Sequence, residues 1–251
     1  MNRPLLLVTN DDGITSHALQ VLVDAIEDIG EVWVFAPDRE QSGVGHGISL
    51  HRPLRVKEIR ERWYSVDGTP TDCVLIATRH FLKRKPDLVL SGINSGPNLG
   101  DDVTYSGTVA GAYEGMLLGI PSMALSNANY KSSDYKTAAR CAAHIARHVL
   151  EHGLPKDTVL NINIPSIPYD ELEGIAITRQ GLREFEDEII CREDPRGNPY
   201  YWIGGHRPRS IIHPGTDVEA IEHNRVSITP LHRNLTNQEA LEALEARNIQ
   251  L

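Results

Sequence analysis

No Gly-Lys pair occurs anywhere in the 251 residues, so the chain has no G-x-x-x-x-G-K-[ST] phosphate loop. Starting from Gly43 and Gly45, a dinucleotide fingerprint would need its third glycine where Ile48 stands, and no G-x-S-x-G nucleophile elbow or H-E-x-x-H zinc motif appears. Cysteine is scarce: Cys73, Cys141 and Cys191 are odd in number, far apart and without a C-x-x-C pair. That argues against a disulfide framework and a thiolate metal site, and a reducing compartment is expected. No apolar run approaches the ~20 residues that span a bilayer. Residues 1–20 contain Asp11 and Asp12 and lack the apolar stretch of a signal peptide. A cytoplasmic protein with no membrane partner is the expectation. Positive charge is also short, Lys+Arg 25 against Asp+Glu 34 for a net −9. Long nucleic acid, which is gripped through clustered positive charge, is excluded as a partner; a single small phosphate is not.

What is present begins ten residues in. Leu5-Leu6-Leu7-Val8-Thr9 reads as a strand buried on both faces and leads directly into Asn10-Asp11-Asp12-Gly13. Neighbouring strand residues point to opposite faces, so the two aspartates converge only where the chain turns, and Gly13 permits the turn. Ser16 to Ile29 predicts a helix with a Leu19, Leu22, Val23, Ile26 stripe and Gly30 as its terminator. A strand follows over Val32 to Ala36, then the irregular, glycine-rich Gly43-Val44-Gly45-His46-Gly47. Ser65 to Asp67 reads as a short strand and Thr69 to about Leu82 as a helix. Leu88 to Ser91 reads as a strand ending in turn chemistry from Gly92 to Gly100. Ser106 to Leu118 predicts a helix whose Gly107, Gly111 and Gly115 lie on one face for close packing on a sheet. Ser122–Leu125, the helix 133–151 and the strand Val159–Ile164 complete an alternation that argues for an α/β, doubly wound, mostly parallel sheet. From about Ile175 short β pieces and a last helix near Asn237–Arg247 read as antiparallel hairpins meeting another subunit. The division expected is a core over 1–174 and an extension over 175–251. No internal repeat is present.

In a parallel sheet the loops after successive strands emerge on one edge, where such sheets place their ligands. Asp11, Asp12, Ser42 and Asn94 all fall in such loops, although taken alone the aspartates and Asn94 read equally as turn or capping residues and Ser42 more readily as an ordinary loop serine. Oxygen donors of this kind suit one divalent cation such as Mg²⁺, Mn²⁺ or Ca²⁺. Tyr105-Ser106-Gly107-Thr108 opens a helix, whose free N–H groups and dipole suit a phosphate. Cation and phosphate seat together suggest phosphomonoester hydrolysis. His46, or His232 if the C-terminal part folds back, is a candidate acid or phosphate donor. A nucleophilic Asp11, as in phosphatases with D-x-D, is disfavoured because the aspartates here are adjacent. A metal-dependent nucleotide sensor and a hydrolase of short polyphosphates or oligonucleotide ends are the alternatives.

Several segments together resemble the SurE family. They are Val8-Thr9-Asn10-Asp11-Asp12-Gly13, Ala36-Pro37-Asp38-Arg39-x-x-Ser42-Gly43, Asp67-Gly68-Thr69-Pro70-Thr71-Asp72-Cys73 and Ser91-Gly92-Ile93-Asn94-x-Gly96-x-Asn98. Tyr105 to Ala110, Asn161-x-Asn163-x-Pro165, Thr178 to Gly181 and Gly215-Thr216-Asp217 belong to the same resemblance. It implies a Rossmann-like domain with a C-terminal extension exchanged within a homodimer or homotetramer. The implied activity is metal-dependent removal of phosphate from nucleoside 5′- and 3′-monophosphates. It further implies Asp11, Asp12, Ser42 and Asn94 as metal ligands, and Asn98, Ser106, Gly107 and Thr108, with Gly43, around the phosphate. Asn224 stands where the family commonly has glycine, a position asparagine can hold with a left-handed backbone.

Overall fold

The structure, a computed structural model, describes residues 3–131, 133–184, 187–205 and 209–247. In chain order the elements are β1 (Leu5–Thr9), α1 (His17–Ile26), β2 (Glu31–Pro37), β3 (Val56–Arg60), β4 (Trp63–Val66) and α2 (Pro70–Ile76). Then come β5 (Leu88–Ser95), α3 (Gly107–Leu117), β6 (Ser122–Asn127), α4 (Lys136–His152) and β7 (Thr158–Ile164). The last part holds β8 (Ile175–Ile177), β9 (Leu182–Glu184), β10 (Asp187–Glu193), β11 (Pro199–Gly205), β12 (Arg209–Ile211), α5 (Asp217–Glu222), β13 (Val226–His232) and α6 (Gln238–Ala246).

Among the described residues, nine strands form the main sheet in the order β3-β4-β2-β1-β5-β6-β7-β13-β8. Every pairing from β4 to β7 is parallel, while β3 and β13 lie antiparallel to β4 and β7. This is the Rossmann-like, doubly wound sheet that the alternating pattern predicts. The continuous apolar run of β1 is needed because both faces are covered. Leu6 and Val8 pack in the cluster of α1 and α4, and Leu7 packs with Phe35, Val66, Cys73 and Val74 beside α2. From β1 the chain winds outward to β2 and β4, then returns across to β5. The strand order therefore reverses between β1 and β5, and their C-terminal ends flank the crevice where open sheets bind ligands.

Local chemistry explains most boundaries. Thr69 and Asp72 form a reciprocal capping box ahead of Pro70, so α2 starts where the sequence predicts, and a π-helical turn over Ala77–Phe81 carries it on. α1 stops at Ile26, three residues short of the expected end. Gly30 serves sterics rather than a left-handed cap, since a Cβ there would lie 2.6 Å from the Pro4 carbonyl oxygen. The glycine stripe of α3 packs as expected: a Cβ on Gly111 would lie 2.8 Å from Ser91 Oγ, and on Gly115 2.4 Å from Ser122 Oγ.

One further expectation needs correction, and one strand was missed. β5 does not end at Ser91 but continues to Ser95, its register on β6 shifting between Ser91 and Asn94. Glycine-rich turn chemistry masked the continuation. β3 was not foreseen because it is an edge strand, almost wholly exposed, and carries no apolar alternation. Beyond residue 174, β13 and β8 extend the main sheet, while among the described residues β10 and β11 pair only with each other as an antiparallel hairpin. Its Tyr201, Trp202 and Ile203 face solvent, each more than half exposed. Asn224 does take a left-handed backbone, φ 53°.

Candidate active site

Asn10 shapes the turn after β1: its side chain accepts from the Gly13 N–H and donates to the Gly13 carbonyl, at 3.2 and 3.0 Å. Gly13 has φ +97°, and the turn sets Asp11 and Asp12 side by side. Asp11 is buried, and burial raises its carboxyl above the ordinary range, opposed by hydrogen bonds from the Thr108 hydroxyl and backbone N–H. Asp12 is pushed up to about 6, first by burial, then by the charges of Asp11 and Glu40, with the Ser95 N–H acting the other way. Its Oδ2 is buried without a hydrogen-bond partner among the described residues. Two crowded carboxylates with an orphaned oxygen are what a resident cation would relieve.

The structure brings the other predicted ligands to the same edge in different degrees. Asn94, at the end of β5, donates its amide nitrogen to the Gly96 carbonyl at 2.9 Å, leaving the oxygen end for a ligand. Ser42 is exposed and donates to Glu40 Oε1 at 2.8 Å. The sequence reading overlooked Glu40, two residues from Ser42, whose charge reaches both aspartates. Among the described residues no three His, Cys, Asp or Glu side chains cluster to hold a metal. The donor set is thus two carboxylates with hydroxyl and amide oxygens. It fits a hard ion that keeps much of its own water.

The N-terminus of α3 abuts Asp11 directly. Gly107 is required there, because a Cβ would come within 2.8 Å of Asp11 Cβ and 2.9 Å of Oδ2. Ser106 caps the helix by accepting from the Val109 N–H at 3.1 Å. Thr108 faces Asp11, so the expected phosphate seat and the carboxylates are one continuous site. Asn98 is buried in a polar net: its N–H donates to Asn163 Oδ1 at 2.8 Å, and its side chain donates to Ser126 Oγ at 2.8 Å. Asn161 and Asn163 both donate to its carbonyl, at 2.8 and 3.0 Å. Their signal was in the sequence, as polar residues at alternate positions of an otherwise apolar strand.

The glycine-rich loop bridges the two halves. Gln41 N–H donates to the Asp11 carbonyl at 2.8 Å, and Gly45 N–H to the Tyr105 carbonyl at 3.0 Å. Gly43, between them, has φ +75° and open space around it, so its backbone conformation is what demands glycine. A cavity of about 640 Å³ opens beside Ser106, its walls including His46, Tyr113, Arg179, Gln180 and His232. β13 is antiparallel to β7 and pairs His232 with Thr158, at the start of that strand, so His232 reaches this cavity from the sheet edge opposite Asp11 rather than folding back over the carboxylates.

Fold and site together define an open α/β protein with a carboxylate and helix-end site at its switch point. A family model described as "Survival protein SurE" matches residues 6–187. The chain belongs to the SurE family. Named relatives include "5'-nucleotidase SurE" of Geobacter sulfurreducens, 50% identical over 96% of this chain and 92% of its own. That of Myxococcus xanthus is 51% identical over 94% and 90%. The solved SurE protein from Aquifex aeolicus superposes with a TM-score of 0.87 at 44% identity, over 98% of this chain and 100% of that one.

Proposed function

We propose that the protein is a nucleotidase, removing phosphate from nucleoside 5′-monophosphates and, at the same site, from 3′-monophosphates, with one divalent cation per subunit. One observation carries the reading: the partnerless Asp12 oxygen beside buried Asp11, against the α3 N-terminus. The chain's near-full-length identity to relatives named as 5′-nucleotidases supports it. In this reading Asp11, Asp12, Ser42 and Asn94 hold Mg²⁺, Mn²⁺ or Ca²⁺, which supplies Lewis-acid polarisation of the phosphoryl oxygen. Asn98, Ser106, Gly107, Thr108 and the Gly43 backbone seat the phosphate. Asp11 orients the attacking water, and the α3 N-terminus offsets the negative charge that develops on the equatorial oxygens. The nucleoside lies in the neighbouring cavity, whose volume falls within the range usual for small-molecule sites.

The test is release of inorganic phosphate from 5′- and 3′-adenosine monophosphate by purified protein with each metal and with chelator. Turnover that requires a divalent ion is expected. Binding of the nucleotide without turnover in any metal would sink the reading and favour a sensor.

The same reading includes self-association in the cytoplasm through the β10–β11 hairpin, because both of its faces leave large apolar side chains exposed, Tyr201 and Ile203 on one and Trp202 on the other. Light scattering should give a dimer or tetramer for the wild type and smaller species for Trp202→Glu. A monomeric wild type would refute this part. No helix among the described residues is long and apolar enough to cross a membrane.

A further inference from the structure

We propose that His46 is the catalytic acid that protonates the departing nucleoside oxygen, and that Glu114 is its positioning residue. This rests on the phosphatase reading above and adds the group that reading lacks.

Four observations converge. Glu114 lies on α3, whose first residues form the phosphate seat, and its side chain is only 10% exposed. Its Oε2 is 2.9 Å from His46 Nε2. A buried carboxylate needs such a partner, and the contact fixes the imidazole so that Nε2 is the nitrogen turned toward Glu114. The Tyr113 ring meets the His46 ring edge-on at 5.4 Å and 68°, bracketing it from a second side. Tyr113 is itself anchored by donating its hydroxyl to the Arg233 carbonyl at 3.1 Å. Finally, Gly45 N–H to the Tyr105 carbonyl joins the residue before His46 to the residue before Ser106. The backbone next to His46 is therefore tied to the residue before the phosphate seat, and both His46 and Ser106 line the adjoining cavity.

With Nε2 on Glu114, Nδ1 is the nitrogen left to serve the substrate. As the water oxygen bonds to phosphorus, the phosphorus–ester oxygen bond breaks and its electron pair stays on the ester oxygen. That oxygen takes the Nδ1 proton of the imidazolium. The proton lost by the attacking water passes to solvent, from which His46 recovers its own. The charged and titratable groups around the ring are Glu114 and Tyr113 on α3, with Arg179 and His232 on the facing walls of the cavity. His232 is the weaker candidate, because its Nδ1 accepts the Asn234 N–H at 3.1 Å and no carboxylate bonds to it among the described residues.

A general acid matters in proportion to how poor the leaving group is, so two substrates decide the matter. Adenosine 5′-monophosphate leaves as an alkoxide and needs the proton; p-nitrophenyl phosphate leaves as a stabilised phenolate and scarcely does. His46→Gln is expected to lower kcat on the nucleotide about 10²- to 10³-fold, with the loss on p-nitrophenyl phosphate at least ~10-fold smaller. Glu114→Gln, which keeps the size and a hydrogen bond, should show the same selectivity at roughly a tenth of the size, in kcat rather than KM. Across aryl phosphates of graded leaving-group acidity, both variants should steepen the dependence of rate on that acidity. Equal loss on both substrates would mean that His46 merely anchors the loop, and would overturn the proposal, as would no loss on either. A wild type inactive on both substrates with every divalent ion would overturn this proposal and the nucleotidase reading together.

Discussion

Asp11→Asn is expected to abolish phosphomonoester hydrolysis, lowering kcat/KM by roughly 10³-fold or more, and yet to raise the melting temperature of the metal-free protein. The two effects have one cause. Asp11 is 4% exposed and its carboxyl is raised by burial, so its charge opposes folding unless a cation answers it. Asparagine keeps an oxygen to accept the Thr108 hydroxyl and removes the charge. Asp12 gives the same conflict a pH dependence. Its folded value of about 6 lies above the ordinary 3.8 of an aspartate, so between those values the folded chain holds more protons than the unfolded one. The stability this group allows is fully present below about pH 4 and is lost as pH rises through about 6. Discounted for its partial solvation, the loss is on the order of 1–2 kcal/mol, or about 2–6 °C. Thermal melts of metal-free wild type and Asp12→Asn from pH 4 to 8 should converge at the acid end and separate toward neutrality, with the variant more stable. A divalent ion should reverse the order and release protons as it binds. Melting curves that stay parallel across this range would show that the pair is not held against its charge.

Gly107→Ala should cost at least ~10²-fold in kcat/KM, the scale of losing one preorganised electrostatic contact, with little loss of stability. Gly115→Ala should do the opposite. The two glycines share one face of α3, but a Cβ at 107 meets Asp11 at 2.8–2.9 Å, whereas a Cβ at 115 meets Ser122 Oγ at 2.4 Å and Val89 Cβ at 3.0 Å. The first displaces the carboxylate proposed to orient the attacking water at a helix end. The second pushes the helix off the middle of the sheet, an overpacking that costs about 1–3 kcal/mol. Activity per folded molecule and chemical denaturation separate the two outcomes. Near-normal kcat/KM in Gly107→Ala would show that the aspartate and the helix end do not act as one site.

Much of the architecture was legible because it is governed by short-range rules. The buried runs of β1 and β5, the helix start at Thr69 and the glycine stripe each state a local physical requirement, and each is met where it was read. The common edge of Asp11, Asp12 and Asn94 followed from topology, since parallel strands present their C-terminal loops together. β3 escaped because an exposed edge strand has no apolar face to read, and β5 ran past its expected end because turn-forming residues there lie within a shifted register.

By itself the sequence determined the alternating fold, the paired aspartates on a strand-end turn and a helix start suited to an anion, for these depend on neighbours a few residues apart. Only the tertiary structure decided that Gly107 touches Asp11, that Asn161 and Asn163 hold Asn98, and that Glu114 reaches His46 across 68 positions of chain. Those contacts depend on helix placement and strand order across the whole sheet. Pairing between residues so far apart leaves no periodic trace in a single sequence, because each partner is also an ordinary member of its own local element.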